Sequence, residues 1–390
     1  MQPKTCVKFD EKTYLRHRDT IQAIAQTRRM LKKNPFYASP LPLDIGIQMT
    51  RRCNLRCKTC FLWNNDGIFR YFGKTEREIE LDTSIIEKVL RETREAKSRL
   101  YLWATEPLFH KQWDDIAALM VKDPRWVTIC TNGILIDKKI ETLLPLSENL
   151  AIVISLDGFE KEHDAIRGKG AFAKTMENAR LLLALQKKGE YKGKITFHCV
   201  LNDDIIPHLY EFTGYCEKHG IDSLYLGFPW YISEDTCREM DDYYKEYFSW
   251  LNNIPGREET SWSRYTFHIK QEMIPILKKQ LRKLLSREFN MRIRLQPPLE
   301  INEIEDYLVG KTMPVQYSAH CYSPSNRMDI LANGDVTTCQ PFHEFTVGNL
   351  YKNSLVEIWR GEKFNRVRET LTKGLTPVCS KCILLYLHSK

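Results

Sequence analysis

The sequence predicts an α/β fold: a partial (β/α)6 TIM-like barrel followed by a small C-terminal α+β unit. Two observations carry the barrel. Between residues 43 and 228, short apolar runs alternate with amphipathic helical stretches, the pattern of a parallel sheet with right-handed crossovers. Six such strands are readable, too few for the closed eight-stranded form. A third observation marks the C-terminal unit, where Asn333-Gly334 divides two extended segments and supplies the positive-φ turn of a hairpin.

Residues 1–40 form a basic N-terminal extension. The barrel, residues 41–228, takes its strands from Leu43–Thr50, Arg99–Trp103, Trp126–Thr131, Leu150–Leu156, Lys194–Leu201 and Asp222–Gly227. Helical patterns lie near 83–97, 112–122, 136–144, 173–188 and 205–219. Residues 229–318 are a mostly helical connecting region, too long for an ordinary loop, expected to cover the barrel mouth and select substrate. Within it Asp241–Leu251 is aromatic and acidic, Asn252–Ser263 reads as a loop, His268–Arg287 as a basic helix, and Met291–Leu295 alternates like a strand. Residues 319–390 form the last unit.

The chain of 390 residues, 43% hydrophobic, can bury a large core. Its first residues lack the apolar segment of a secretory signal, and no run approaches the roughly 18 apolar residues of a membrane span. A cytoplasmic location is expected, and twelve cysteines there point to metal or redox chemistry rather than disulfides. The net charge of +8 is uneven: residues 1–36 hold nine Lys/Arg against three Asp/Glu, and residues 270–294 eight against two. These segments could meet a nucleic acid, a peptide or phosphates, but no nucleic-acid module accompanies them, and solvated helix faces are the preferred reading.

Cys53, Cys57 and Cys60 form a Cys-x3-Cys-x2-Cys array. Cuboidal [4Fe–4S] clusters usually take four cysteines, so three leave one iron open. A zinc knuckle would want a fourth ligand, and the nearest histidines are the distant His17 and His110. The wording Cys-Asn-Leu-Arg-Cys-Lys-x-Cys resembles the signature of the radical S-adenosylmethionine (SAM) superfamily. That resemblance implies a [4Fe–4S] cluster whose open iron binds SAM and whose electron cleaves it to a 5′-deoxyadenosyl radical.

It also implies contacts to SAM. Ala104-Thr105-Glu106-Pro107 stands where the family usually has Gly-Gly-Glu-Pro, which makes Thr105, Glu106 and Pro107 candidates. Asn132 follows the third strand. The run Ser-Leu-Asp-Gly-x4-His-Asp-x2-Arg-Gly from Ser155 to Gly168 resembles the peptide-modifying branch, implying contacts from Ser155 and Arg167, and Asn202 follows the fifth strand. For isolated short polar residues at strand ends, a turn is the better reading. Thr59 replaces a residue that is often aromatic, so Phe61, Leu62 or Trp63 is expected near the adenine. Cys130 and Cys199 read as buried small hydrophobes.

Cys321, Cys339, Cys379 and Cys382 follow a Cys-x12-Gly-x4-Cys…Cys-x2-Cys pattern that resembles the SPASM and twitch domains. Four ligands imply one fully ligated auxiliary [4Fe–4S] cluster serving electron transfer, with structural zinc as the alternative. After Cys382 the SPASM spacing reaches His388 rather than a cysteine, so a second auxiliary cluster is not expected. Gln340 stands where sulfatase-maturing relatives have an aspartate that can act as a base, which disfavours that activity.

The resemblance implies an oxidoreductase or maturase driven by an external one-electron reductant such as flavodoxin or ferredoxin, oxidising or cross-linking a peptide or protein. A dehydrogenase or epimerase of a sugar or other small metabolite is the rival, with Cys237 as candidate hydrogen donor. A basic nucleic-acid-binding metal protein that does not cleave SAM is the alternative from another class.

Overall fold

The computed structural model describes residues 1–251, 260–340 and 342–388. Its strands are β1 (Lys4–Thr5), β2 (Asp44–Gln48), β3 (Arg99–Trp103), β4 (Val127–Thr131), β5 (Leu150–Ser155), β6 (Lys194–Val200), β7 (Ser223–Gly227), β8 (Glu288–Phe289), β9 (Arg292–Gln296), β10 (Arg327–Ile330), β11 (Asp335–Thr337) and β12 (Thr346–Asn349). The six strands expected from sequence are β2 to β7, and all pair in parallel in chain order. Short helices Thr83–Glu92, Trp113–Lys122, Ile136–Leu143, Ala171–Lys187 and Leu209–Lys218 connect them.

The sheet is wider than six strands. β9, from the connecting region, adds in parallel beyond β7, and β10, from the last unit, adds in parallel beyond β2. With the β10–β11–β12 antiparallel meander the order becomes β12-β11-β10-β2-β3-β4-β5-β6-β7-β9. The physical reason lies at the edges. A six-stranded partial barrel leaves unpaired backbone donors and acceptors on both sides, and the later segments satisfy them. One sheet therefore runs through three of the four segments distinguished by composition. The hairpin forms, but Leu331–Gly334 separates its strands, and Gly334 alone has positive φ (79°). It is a longer turn than the two-residue connection expected, in which both central residues need positive φ. Of the expected loop Asn252–Ser263, residues 252–259 lie outside the described residues.

The basic N-terminal extension packs on the barrel through one face of a helix, while Arg18, Arg28 and Arg29 stay exposed. Helix α1 (Glu11–Leu31), capped by Asp10 (Thr13 N to Oδ1, 2.7 Å), lies across the N-terminal ends of the barrel strands. Arg16 stacks 3.5 Å over the Trp126 ring, Arg99 donates to Thr20 (2.5 Å), and Thr27 donates to Asn326 (3.0 Å). The helix closes the bottom of the barrel.

Alternation along each strand separates two environments. Ile45, Ile47, Leu100, Ile129, Phe197, Leu226 and Leu295 are buried against the helices, each worth about 1.5–3 kcal/mol of burial. The intervening positions face the lumen and are mostly polar, among them Gln48, Arg99, Tyr101, Thr128, His198 and Tyr225. Arg327 and Asp329 pair there at 2.7 Å directly over Gly46, where any Cβ would sit 1.8 Å from the Asp329 carboxylate. Only glycine admits that pair. Cys199 packs in the core as expected, whereas Cys130 faces the lumen and contacts the Tyr101 hydroxyl at 3.1 Å.

Candidate active site

The loop after β2 holds Cys53, Cys57 and Cys60. A small apolar cluster of Leu62, Trp63, Ile68, Phe69 and Phe72 braces it from behind, and Trp63 Nε1 donates to the Arg51 carbonyl (2.9 Å). Leu62 and Trp63 are thus committed to packing. Phe61 points the other way and stacks on Tyr265, ring centroids 4.5 Å apart.

The expected SAM-contact residues gather around this loop at the C-terminal strand ends, the ligand end of a parallel α/β barrel. Ala104 and Thr105 both adopt left-handed backbone (φ 63° and 52°), a conformation that glycine takes without strain. The Thr105 hydroxyl donates to the Thr50 carbonyl (2.6 Å), which pins the strained turn to the start of the cysteine loop. Pro107 opens a short turn capped by Glu106. Glu106 is fully buried and accepts from Asn132 N (2.7 Å), Thr131 Oγ1 (2.8 Å) and Leu108 N (3.1 Å). Burial pushes its carboxyl up to about 7, although these donors and Arg167 pull the other way. About one of its four lone-pair positions remains for a ligand.

Asn132 donates through Nδ2 to the Asn54 side chain (2.7 Å), joining the end of β4 to the cysteine loop. Arg167 does the same from the helix after β5: Nε donates to Asp157 (2.7 Å) and Nη1 lies 3.6 Å from Cys57 Sγ. Burial alone would raise the Asp157 pKa, but the guanidinium holds it below the usual carboxylate range. Asp157 N in turn donates to His163 Nδ1 (3.1 Å), and Asp164 receives Gly170 N and Phe172 N. Much of the Ser155–Gly168 run therefore builds the loop itself. Ser155 is half-buried at the end of β5. Asn202 spends its side chain internally, donating to Asp157 O and Val200 O and accepting from Ile205 N. Sequence reasoning missed Asn54, Thr131 and Asp157, whose signal was their place beside motif residues.

Cys321, Cys339, Cys379 and Cys382 gather from three segments into a second site, each thiol pushed up by burial, with Cys339 feeling the other three. The turn carrying Cys379 and Cys382 is fastened by Lys381, which is buried and donates to the carbonyls of Tyr307 and Lys311 (both 2.8 Å). Tyr265 stands between the two sites, stacked on Phe61 and edge-on to Phe342 at 5.7 Å. Cys237 is half-buried in helix Glu234–Tyr247, its sulfur 3.7 Å from the carbonyl of Trp262, whose ring meets Phe342 edge-on at 5.9 Å.

The donor sets fit iron–sulfur groups. Three thiols lie together, Cys57 buried and Cys53 and Cys60 half-buried, with Cys53 pushed to about 12 and Cys57 to about 11, chiefly by desolvation, so thiolates there require a strong compensating cation. Among the described residues, no three His, Cys, Asp or Glu side chains are arranged around a single metal ion. These features define a two-site iron–sulfur protein built on an open α/β barrel.

Residues 47–213 match the radical SAM superfamily, and residues 321–383 match the SPASM iron–sulfur cluster-binding domain. The chain therefore carries a radical SAM domain over residues 47–213 and a C-terminal SPASM-type domain over residues 321–383. The first domain binds a [4Fe–4S] cluster and SAM, and the second binds auxiliary iron–sulfur. The antilisterial bacteriocin subtilosin biosynthesis protein AlbA of Bacillus subtilis is 29% identical over 37% of this chain and 31% of its own. The Fe-coproporphyrin III synthase of Methanosarcina barkeri is 32% identical over 32% of this chain and 30% of its own. The chain thus spans about a third of the length of these relatives. In fold it is similar to Streptococcus suis SuiB bound to SAM, with TM-score 0.59 and 17% identity over 93% of this chain and 74% of that one.

Proposed function

We propose that the chain reductively cleaves SAM and takes a hydrogen atom from a peptide or protein, oxidising or cross-linking it. The carrying observation is a three-cysteine site and a four-cysteine site on opposite sides of one buried aromatic contact, Phe61–Tyr265–Phe342. Cys53, Cys57 and Cys60 would hold the first cluster, and Cys321, Cys339, Cys379 and Cys382 a single auxiliary one. When bound, the first cluster and SAM supply a 5′-deoxyadenosyl radical able to abstract hydrogen from carbon.

The protein's own part is positioning and exclusion. Asn132 and Arg167 hold the cysteine loop to the strand ends. Glu106 keeps an acceptor position for an amine, and Ser155 and Thr105 face the same end of the barrel. The Phe61–Tyr265–Phe342 wall keeps water from the space between the sites. A surface cavity of about 470 Å³ beside Cys53, rimmed by Arg52, Arg56, Lys74 and Arg77, suits an acidic one-electron donor such as a flavodoxin or ferredoxin. Oxygen-sensitive clusters and twelve free cysteines favour a cytoplasmic setting. No helix among the described residues is long and apolar enough to cross a membrane.

Peptide is preferred because AlbA is named for bacteriocin biosynthesis and SuiB has been captured with its precursor peptide SuiA. A small-metabolite substrate is the second reading, favoured by the polar lumen and by the coproporphyrin-named relative. Anaerobic reconstitution should give about eight irons per chain, and reductant plus SAM should yield 5′-deoxyadenosine. About four irons with retained zinc would remove the auxiliary cluster, and no 5′-deoxyadenosine would remove the activity.

A further inference from the structure

The lumen wall at β9 and the barrel floor beneath it hold a set of guanidinium groups with no acid of their own. In β9, Ile293 and Leu295 are buried against the helices, so Arg292 and Arg294 face the lumen. Arg16 rises beside them from α1, on the barrel floor. Arg292 donates to His17 Nε2 (3.0 Å), and burial together with Arg292, Arg294 and Arg16 holds that imidazole down at about 4, as a neutral acceptor. Among the described residues none of the three arginines forms an ion pair. The other lumen arginines are matched, Arg99 to Asp44 at 2.6 Å and Arg327 to Asp329 at 2.7 Å. Asp10, the carboxylate nearest Arg16, is engaged by Lys194 (2.9 Å) and by the α1 cap.

Three partly buried like charges repel one another, and only neutral partners, the Trp126, Phe9 and Tyr225 rings and the His17 imidazole, offset their lost hydration. Burial, Arg294 and Arg16 depress Arg292 to about 10. Such an arrangement is stable at neutral pH at a cost, and an arriving anion reverses it. Guanidinium groups are suited to planar, bidentate capture of carboxylate or phosphate.

The register ties this set to the reacting end of the barrel. Ser155 pairs with His198, His198 with Tyr225, and Tyr225 with Arg294, so one rung runs from the β5 terminus to Arg294, with Arg292 two residues nearer the barrel floor. All four are partly exposed while their strand neighbours are buried. Three strand steps make that rung at most roughly 14 Å long.

We propose that Arg16, Arg292 and Arg294 form an anion seat in the lumen that holds a carboxylate or phosphate of the substrate. This rests on the reading of the lumen as the reaction chamber and narrows the substrate to an anionic one: an acidic side chain or C-terminus if it is a peptide, an acid or phosphate ester if it is not.

The test uses the full chain with its clusters reconstituted, melted in inorganic phosphate or in succinate at ionic strength held constant with chloride. Either anion near saturation should raise Tm by roughly 2–4 °C in the wild type. The rise should vanish in R292Q/R294Q and persist in R294K, and R292Q/R294Q without anion should melt at or above the wild type because repulsion is relieved. Response to succinate alone assigns a carboxylate, and response to phosphate alone a phosphate ester. R16Q, on a different element, should halve the shift or more, and it decides the matter if the double variant does not fold. No shift in the wild type, an undiminished shift in R292Q/R294Q or R16Q, or a folded R292Q/R294Q that melts well below the wild type would overturn the seat. The melts need no turnover, so they stand apart from whether the wild type forms 5′-deoxyadenosine.

Discussion

Arg167 touches Cys57. Its Nη1 lies 3.6 Å from the sulfur while its Nε is committed to Asp157 at 2.7 Å, so one side chain fastens the cysteine loop to the end of β5.

Removing that link has two separable effects. Arg167→Gln leaves Asp157 buried without its counter-ion, costing about 3–5 kcal/mol by urea unfolding. The Asp157 pKa is depressed in the fold, so this stability is present above the unfolded carboxylate pKa and is lost as pH falls through the folded one. The variant should therefore lose most relative to wild type near neutrality and least in acid. Iron content after reconstitution should fall as well, since the loop loses its brace.

Glu106 has the opposite sign. Its carboxyl is raised to about 7, so in the absence of SAM its contribution is full below pH 4.5 and is lost as pH rises through 7. Glu106→Gln should flatten that slope, about 3 kcal/mol between pH 5 and 8, in unfolding curves. A slope unchanged in the variant would place its origin elsewhere.

Two small-residue changes test the backbone. Gly46→Ala forces the Arg327–Asp329 pair off its seat and should cost about 1–3 kcal/mol or more. Ala104→Gly relieves a left-handed alanine and should gain about 1 kcal/mol. Both are read as Tm shifts.

Lys381→Met strands the carbonyls of Tyr307 and Lys311 and loosens the turn bearing Cys379 and Cys382. Iron per chain should drop from about eight to about four, with the Cys53/Cys57/Cys60 site still loaded. Iron and sulfide analysis reads this directly.

Legibility from sequence followed locality. The Cys53–Cys60 array, β2 to β7 and their helices depend on spacing and period within a few residues, so they could be read directly. Thr105 and Glu106 could be placed at a strand end, but the left-handed turn that carries them, and the three donors that occupy Glu106, could not. Asn202 read as a ligand candidate, yet its amide is taken up by Asp157, Val200 and Ile205.

The sequence by itself determined the chemistry and the repeating unit of this protein: two cysteine sets and a strand–helix alternation, both written in short-range patterns. Only the tertiary structure decided how the sheet ends, because edge strands are completed by segments far along the chain. It also decided that Tyr265 stands between the two cysteine sites, and that Arg16 meets Arg292 and Arg294 across some 276 positions of chain. Such meetings are set by packing and by the pairing of backbone groups, and no local pattern of residues encodes them.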